Sequence, residues 1–291
     1  MKMAILEETY TLSNGVKIPK LALGTWLIDN SGTEEAVKNA VTLGYRHIDT
    51  AQAYQNEQGV GAGIRNAEID RSSIFVTSKV AAEHKSYQST SESIDESLQA
   101  MGFAYIDLML IHSPQPWAEV NQSDNRYKEE NKEVWRAMED ALKAGKLRAI
   151  GVSNFLKEDI ENIIETCTVK PMVNQVLAHI TNTPFEVIEY CEGQNILVEA
   201  YSPVAHGEAL KNPKIAHMAE KYGVSVAQLC IRYDLQLGLV VLPKTATPSH
   251  MEENARMDFE ISAEDMDILK NLEHIKDYGE SSFFPVYGGK M

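Results

Sequence analysis

A closed α/β barrel of eight parallel strands is the fold this sequence predicts, and three observations predict it. Eight short apolar runs recur along the 291 residues. Segments with helical period and recognisable start and stop signals separate them. No Gly/Ser-rich or Pro-rich linker divides the chain, so the units belong to one domain, residues 1–291. Strands alternating with helices need crossover connections and hence a parallel sheet, and eight such units favour closure over an open sheet. The length allows it, because α/β barrels run ~200–250 residues or more as one domain.

In chain order, "YTLSNGVKIP" comes first. Asn14-Gly15 between apolar stretches is a two-residue hairpin signal, so residues 8–19 are expected to form a plug or decoration outside the barrel strands. The eight runs follow: "KLALGTW", "RHIDTA", "IFVTSK", "IDLMLIH", "RAIGVSN", "PMVNQ", "ILVEAYS" and "LVVLPKT". Between them, "STSESIDESLQAMG" opens with Ser89 and Glu92 at capping-box spacing and closes on Gly102. "KEENKEVWRAMEDALKAG" closes on Gly145, and "TPFEVIEYCEGQ" starts at Thr183 with Pro184 at the first helical position. The tail, residues 276–291, is apolar, aromatic and glycine-bearing. A disordered tail would carry fewer aromatics, so this one is expected to fold over the barrel mouth.

Composition excludes several function classes. The formal net charge is −15, so no general field attracts nucleic acid or an anionic membrane, and any phosphate must be gripped locally. Three cysteines, Cys167, Cys191 and Cys230, have neither an even count nor metal-type spacing, which points to buried thiols in a reducing, cytoplasmic setting. The N-terminal apolar stretch is too short for a signal peptide, and nowhere do eighteen apolar residues run together. Nothing resembles an obligate interface, so a monomer is expected.

In such barrels the site is built at the C-terminal ends of the strands. Here those ends are polar and varied: Asp49, Lys79, His112, Ser153-Asn154, Asn174-Gln175, Tyr201-Ser202 and Lys244-Thr245, each expected to face one mouth. Tyr54 follows Asp49 on its loop. An aspartate, a lysine, a histidine and a tyrosine from neighbouring strand ends form a proton-handling set. A phenol with a reference pKa of ~10 is a poor neutral-pH acid, but an ammonium beside it favours the phenolate, and Lys79 can supply one. Asp49 would hold that lysine, and His112 would orient a bound carbonyl oxygen. Singly, such residues are more often helix caps or structural ion pairs; jointly, at separate strand ends, they point to protonation of a developing alkoxide. A zinc site from His47, Asp49, His112 and His179 is disfavoured, since alternation puts His47 one step deeper than Asp49 and no His-x-His pair or carboxylate-rich rim supports it.

Three long stretches, "GYRHIDTAQAYQNEQGVG", "RAIGVSNF" followed by "VNQ" and "EAYSP", and "LPKTATPSHMEEN", resemble the aldo-keto reductases, and in particular bacterial-type members close to 2,5-diketo-D-gluconate and glyoxal reductases. The resemblance implies a TIM barrel and NAD(P)H-dependent reduction of aldehydes, ketones or dicarbonyls to alcohols. It implies that Tyr54 is the general acid, Lys79 its partner, Asp49 the lysine's partner and His112 the carbonyl-orienting group. Ser153, Asn154 and Gln175 would hold the nicotinamide carboxamide, with Thr25 and Asp49 beside it and Tyr201 stacked on the ring. Ser202, Pro203 and Val204 would line the cofactor path, and Lys244, Thr245, His250, Glu253 and Asn254 would take the adenosine end. Trp26 resembles a pocket wall. "GVGAGIRN" does not complete a G-x-G-x-x-G fingerprint and does not follow a strand, so a cofactor must sit on the barrel rim.

Two departures from the family pattern stand out. His250 occupies a position where the family usually has arginine, and a mostly neutral imidazole offers a 2′-phosphate far less than a bidentate guanidinium. Arg256 lies roughly 240° further around a helix of 3.6 residues per turn and cannot substitute. NADPH is therefore expected to bind with a weakened preference over NADH. After His112 stands Ser113 where many relatives have tryptophan, with Trp117 further on; Trp117 either closes the pocket from its loop or packs on the barrel exterior. Pocket candidates are Trp26, Tyr54, His112 and Trp117, with Phe283, Phe284 and Tyr287 of the tail, a lining suited to small carbonyl substrates. The other class to weigh is a cofactor-sensing binding or regulatory protein on the same barrel, which would often lack one of the four proton-transfer residues.

Overall fold

The computed structural model describes residues 3–288, the side chain of Tyr287 excepted; the last three residues of the expected tail lie outside the described residues. Strands β1 (Thr9–Thr11) and β2 (Lys17–Pro19) form the antiparallel hairpin. The barrel strands are β3 (Leu23–Gly24), β4 (His47–Asp49), β5 (Phe75–Val80), β6 (Ile106–Ile111), β7 (Leu147–Ser153), β8 (Val173–Leu177), β9 (Leu197–Tyr201) and β10 (Val240–Leu242). They pair in parallel in chain order, and bridges Leu21 to Val241 and Gly24 to Lys244 close the ring. The helices are α1 (Asn30–Leu43), α2 (Glu57–Asn66), α3 (Tyr87–Met101), α4 (Lys128–Lys143), α5 (Lys157–Ile164), α6 (Phe185–Gly193), α7 (Pro213–Tyr222), α8 (Val226–Gln236), α9 (Pro248–Asn254) and α10 (Ala263–Lys270). Among the described residues no helix is long and apolar enough to cross a membrane.

Each apolar run became a strand because it is buried on both faces, as parallel strands covered by helices must be. On β6, Leu108 and Leu110 join Phe75, Ala149, Val173 and Val240 inside the barrel, while Met109 and Ile111 pack with Val76, Ile150 and Val198 under the helices. This period of two carries through to the strand ends and decides which polar side chains reach the mouth. Leu12 and Ile18 of the hairpin join the interior cluster and plug its lower end.

Local chemistry departs from expectation at three places. The hairpin turns through three residues, with Leu12 and Val16 closing the pair at 2.8 Å and Gly15 in the left-handed region at φ 87°. Helix α3 begins one turn before Ser89, because the Ser86 side chain caps it by accepting from Ser89 N at 3.2 Å. Pro184 is the cap residue of α6, one position before the predicted one, and the Thr183 hydroxyl donates to His179 O at 3.0 Å instead of capping.

The glycines of "GVGAGIRN" are packing devices. On α2, a Cβ at Gly59 would come within 2.2 Å of Asn30 O, at Gly61 within 2.1 Å of Met101 O, and at Gly63 within 2.7 Å of Glu34 O. The helix therefore lies flush against α1 and the end of α3. That contact fixes the far end of the Tyr54 loop.

Candidate active site

The inward parity of β4 and β5 brings His47, Asp49, Thr77 and Lys79 into the barrel, and the 3₁₀ turn Gln52–Tyr54 then returns the chain over them. Side-chain hydrogen bonds hold that turn. Gln52 donates to Ser93 O and Ser97 Oγ, both at 3.0 Å, and accepts from Ala81 N at 2.7 Å. Asn56 donates to Thr25 O and Ile28 O and accepts from Thr50 Oγ1 at 2.6 Å. Tyr54 is thus set by β3, β5 and α3 together.

Beneath it lies a buried ion pair. Lys79 Nζ, wholly buried, donates to Asp49 Oδ1 at 2.7 Å and Thr50 O at 2.8 Å and reaches Tyr54 OH at 3.4 Å. The expectation that Lys79 lowers the Tyr54 pKa meets the opposite direction: the phenol is held well above its ordinary value, by burial first and by the Asp49 charge second. The ammonium is nearer the carboxylate than the phenol, so its field at Tyr54 is largely offset. Tyr54 is consequently a neutral phenol. His112, inward on the parity of Leu108 and Leu110, packs edge-on to it with ring centroids 5.6 Å apart. Burial, with Lys79 second, holds the His112 imidazole well below its usual range and hence neutral, and its Nδ1 has no hydrogen-bond partner among the described residues.

On the opposite wall, Ser153 Oγ donates to Gln175 O at 2.9 Å, and Asn154 Nδ2 donates to His112 O at 3.0 Å and Ser153 Oγ at 3.1 Å. Tyr201 OH donates to Asn154 Oδ1 at 2.7 Å, leaving that oxygen a second lone pair. Gln175 Nε2 donates to Asp49 Oδ2 at 2.9 Å, tying this wall to the ion pair. Asn154 and Ser202 stand at φ 61° and 55°, a conformation that turns each chain end back over the mouth; for serine it is a strained one.

The predicted residues meet in one cavity of ≈ 300 Å³, lined by Thr25, Trp26, Asp49, Tyr54, His112, Trp117, Ser153, Asn154, Gln175, Tyr201, Ser202, Pro203, Val204 and Lys244. Trp117 belongs to the pocket: its ring meets His112 and Phe284, each at 4.9 Å, and Phe284 also meets Trp26 at 5.2 Å. Phe283 is 76 % exposed and does not line it; the Tyr287 side chain lies outside the description.

Other predicted residues fall elsewhere. Asn174, expected at the mouth, faces outward and donates to Phe155 O at 3.0 Å, because it alternates with the inward Gln175 on β8. Lys79 lies below the mouth, not at it. Thr245, His250, Glu253 and Asn254 are outside the cavity, on the loop after β10 and on α9, where His250 is exposed and Asn254 buried. Arg256 follows α9 and pairs with Glu252. His47 bonds to Thr77 Oγ1 at 2.9 Å and His179 to Tyr278 OH at 2.9 Å, and no three metal-ligating side chains cluster among the described residues.

Sequence reasoning missed Gly24, Leu27, His206 and Leu242 of the lining, and the buried Glu199 behind Gln175. Glu199 carried a signal, a carboxylate two residues before Tyr201 on the same inward parity. A concavity of ≈ 890 Å³ at the opposite end, among the hairpin, Arg46, Asp107 and Arg148, holds none of this chemistry.

Asn154 Oδ1, with its second lone pair, and the Gln175 side-chain oxygen form an acceptor wall beside the Tyr201 ring, which suits the NH2 of a planar carboxamide on an aromatic ring, so the residues fit a nicotinamide. Known proteins agree. The chain is 43 % identical over 269 residues to a glyoxal reductase of Bacillus subtilis, covering 92 % of this chain and 93 % of that one. A solved aldo/keto reductase from Brucella melitensis superposes with a TM-score of 0.84 at 38 % identity, covering 90 % of this chain and 98 % of that one. A Bombyx mori aldo-keto reductase solved in complex with NADP does so with a TM-score of 0.84 at 30 % identity, covering 97 % and 98 %. With residues 20–274 matching the model of the Aldo/keto reductase family, this oxidoreductase chain belongs to that family.

Proposed function

We propose that the protein reduces small aldehydes, ketones or dicarbonyls to alcohols with NADPH, with Tyr54 as proton donor. The observation that carries the reading is the buried sequence Asp49, Lys79, Tyr54 at 2.7 and 3.4 Å, opening beside a neutral His112 on an aromatic-walled cavity. When bound, the reduced nicotinamide supplies the hydride. The protein's residues supply alignment and the proton. Ser153, Asn154 and Gln175 hold the carboxamide and Tyr201 supports the ring. Ser202, Pro203 and Val204 line the path outward. Lys244, Thr245, His250, Glu253 and Asn254 take the adenosine end.

His112, neutral, orients the carbonyl oxygen toward Tyr54. The phenol then gives its proton to an oxygen gaining alkoxide character, a far stronger base than phenolate, so its raised pKa does not prevent transfer. Lys79 faces the phenolate left behind, and Asp49 fixes Lys79. Such acid catalysis contributes ~10²–10⁴-fold. Lys244 is the cation available to a 2′-phosphate beside His250, which supports NADPH binding with reduced selectivity over NADH. Free Cys167, Cys191 and Cys230 support a cytoplasmic setting, and we take the protein as a monomer.

The test is NADPH oxidation with methylglyoxal and a panel of small aldehydes, for wild type and Tyr54→Phe. Turnover that drops ~10²–10⁴-fold in the variant is expected. Equal turnover in Tyr54→Phe would remove Tyr54 as donor. Tight NADPH binding with no turnover would favour a cofactor-sensing protein.

A further inference from the structure

Glu199 has no role in the reaction described above, yet it is wholly buried one side chain away from the ion pair. Its Oε2 accepts from Gln175 Nε2 at 2.8 Å, the same amide nitrogen that donates to Asp49 Oδ2 at 2.9 Å. Gln175 therefore spends both amide hydrogens on two carboxyl groups. The second oxygen, Oε1, has no hydrogen-bond partner among the described residues and lies 3.9 Å from His47 Nε2. His47 Nδ1 is 3.3 Å from Pro19 O, a pure acceptor, which puts the ring hydrogen on Nδ1. Nε2 thus carries the ring's one lone pair, which accepts from the Thr77 hydroxyl at 2.9 Å, and the ring has no hydrogen to offer Oε1. A carboxylate Oε1 would therefore be a buried charge with no donor facing it, which a neutral carboxylic acid avoids.

We infer that Glu199 is a positioning residue, held as a neutral carboxylic acid beneath the site, and that its neutrality leaves Asp49 as the single anion competing with Tyr54 for Lys79. The groups around it agree. Strand β4 contributes His47 and Asp49, β5 Thr77 and Lys79, β8 Gln175, β9 Tyr201, and β10 only Val240 and Leu242 facing inward below an exposed Lys244. Lys79 is thus the one buried cation among them, already bonded to Asp49. Burial, with the Asp49 charge second, pushes the Glu199 pKa up to about 8. His47 stays neutral, since burial brings it down to about 3. As pH rises through the Glu199 range, a second anion forms beside Asp49, draws Lys79 away from Tyr54 and strengthens the phenol's hold on its proton.

The inference rests on the proposed reductase reading, and its test has one arm that does not. With activity, kcat of the wild type is expected to fall about tenfold between about pH 7 and 9, as the protonated fraction does for one group titrating midway. In Glu199→Gln, which keeps the acceptor for Gln175 and cannot ionise, the same ratio is expected to stay within about twofold. At neutral pH, Glu199→Gln is expected to exceed Glu199→Leu, which leaves the Gln175 hydrogen unpaired, by about tenfold in kcat. An alkaline limb of equal size in Glu199→Gln would overturn the inference. Independently of turnover, difference infrared spectra of wild type minus Glu199→Gln are expected to show a protonated-carboxyl band at neutral pH that is lost above about pH 9. No such band would overturn it even in an active enzyme; the band in a protein without turnover would leave Glu199 neutral and defeat the reductase reading alone.

Discussion

Replacing Lys79 by methionine tests the buried ion pair on stability as well as catalysis. The side chain keeps its volume and loses three contacts: Asp49 Oδ1 at 2.7 Å, Thr50 O at 2.8 Å and Tyr54 OH at 3.4 Å. Asp49, 4 % exposed, keeps only the Gln175 hydrogen at 2.9 Å among side-chain donors. Breaking a buried pair from one side typically costs ~3–5 kcal/mol, because the remaining charge has neither water nor partner. At ~2–3 °C per kcal/mol for a domain of this size, the expected fall in Tm is ~6–15 °C. Removing both charges, in Asp49→Asn/Lys79→Met, is expected to restore ~2 kcal/mol or more of that loss, since the amide needs far less solvation. Thermal unfolding and urea denaturation of the four cycle members give both numbers, with far-ultraviolet circular dichroism as the probe. A Lys79→Met variant melting within ~2 °C of wild type, or a double variant no more stable than the single, would refute the claim that the pair is mutually dependent.

Other outcomes are equally specific. Asp234 on α8 is fully buried with neither carboxyl oxygen partnered among the described residues, and burial holds its pKa well above 3.8. Because the folded value exceeds the unfolded one, the stability it contributes is complete below the unfolded pKa and is lost as pH rises toward the folded one. Asp234→Asn should therefore match wild type near the ordinary carboxyl pKa and exceed it by ~1–3 kcal/mol at neutral pH in urea midpoints; a difference independent of pH would contradict this. Phe284→Ala removes the ring that meets Trp26 and Trp117 at 5.2 and 4.9 Å, and is expected to raise KM for small aldehydes ~10-fold while changing kcat less than ~3-fold. His250→Arg should raise the NADPH to NADH ratio of kcat/KM ~10-fold or more by offering a bidentate cation, from a wild-type ratio below ~10³; a wild-type ratio above that limit would show that Lys244 and its surroundings suffice without arginine.

What the sequence made legible follows from period and burial. Lys79, His112, Ser153 and Gln175 share an inward parity with apolar neighbours on their own strands, and Asp49 with His47 on its strand, so alternation alone could place them inside. Strand ends were less legible. Nothing local in "PMVNQVLAH" stops the strand at Gln175, and Asn174, alternating with the inward Gln175, points under α6 to bond Phe155 O and Cys191 Sγ. Helix starts slipped by one residue or one turn for a similar reason: Ser86 and Ser89 both carry a capping hydroxyl, and packing chooses between them. The pKa direction of Tyr54 was out of reach, because it depends first on how deeply the phenol is buried and then on how close Asp49 lies, neither of which a local pattern gives. Trp117 and Phe284 meet across more than 150 residues of chain, a proximity that no local pattern encodes.

The proton-handling groups are anchored on β4, the short turn that follows it, β5 and the end of β6, whereas the aromatic walls come from elsewhere: Trp26 just beyond β3, Trp117 between β6 and α4, and Phe284 in the tail. On the proposed reading, reactivity and substrate choice therefore occupy separable parts of the chain. A descendant could exchange the segment around Trp117 and the tail, and so recut the pocket for a bulkier or more polar carbonyl, while inheriting the proton-delivering floor intact. The reverse route is narrower, since Lys79 cannot change without unsettling Asp49, and Gln175 behind it. On a barrel built this way, the proposed reading makes new specificities accessible by loop replacement while the floor of Asp49, Lys79, Tyr54 and His112 stays as it is.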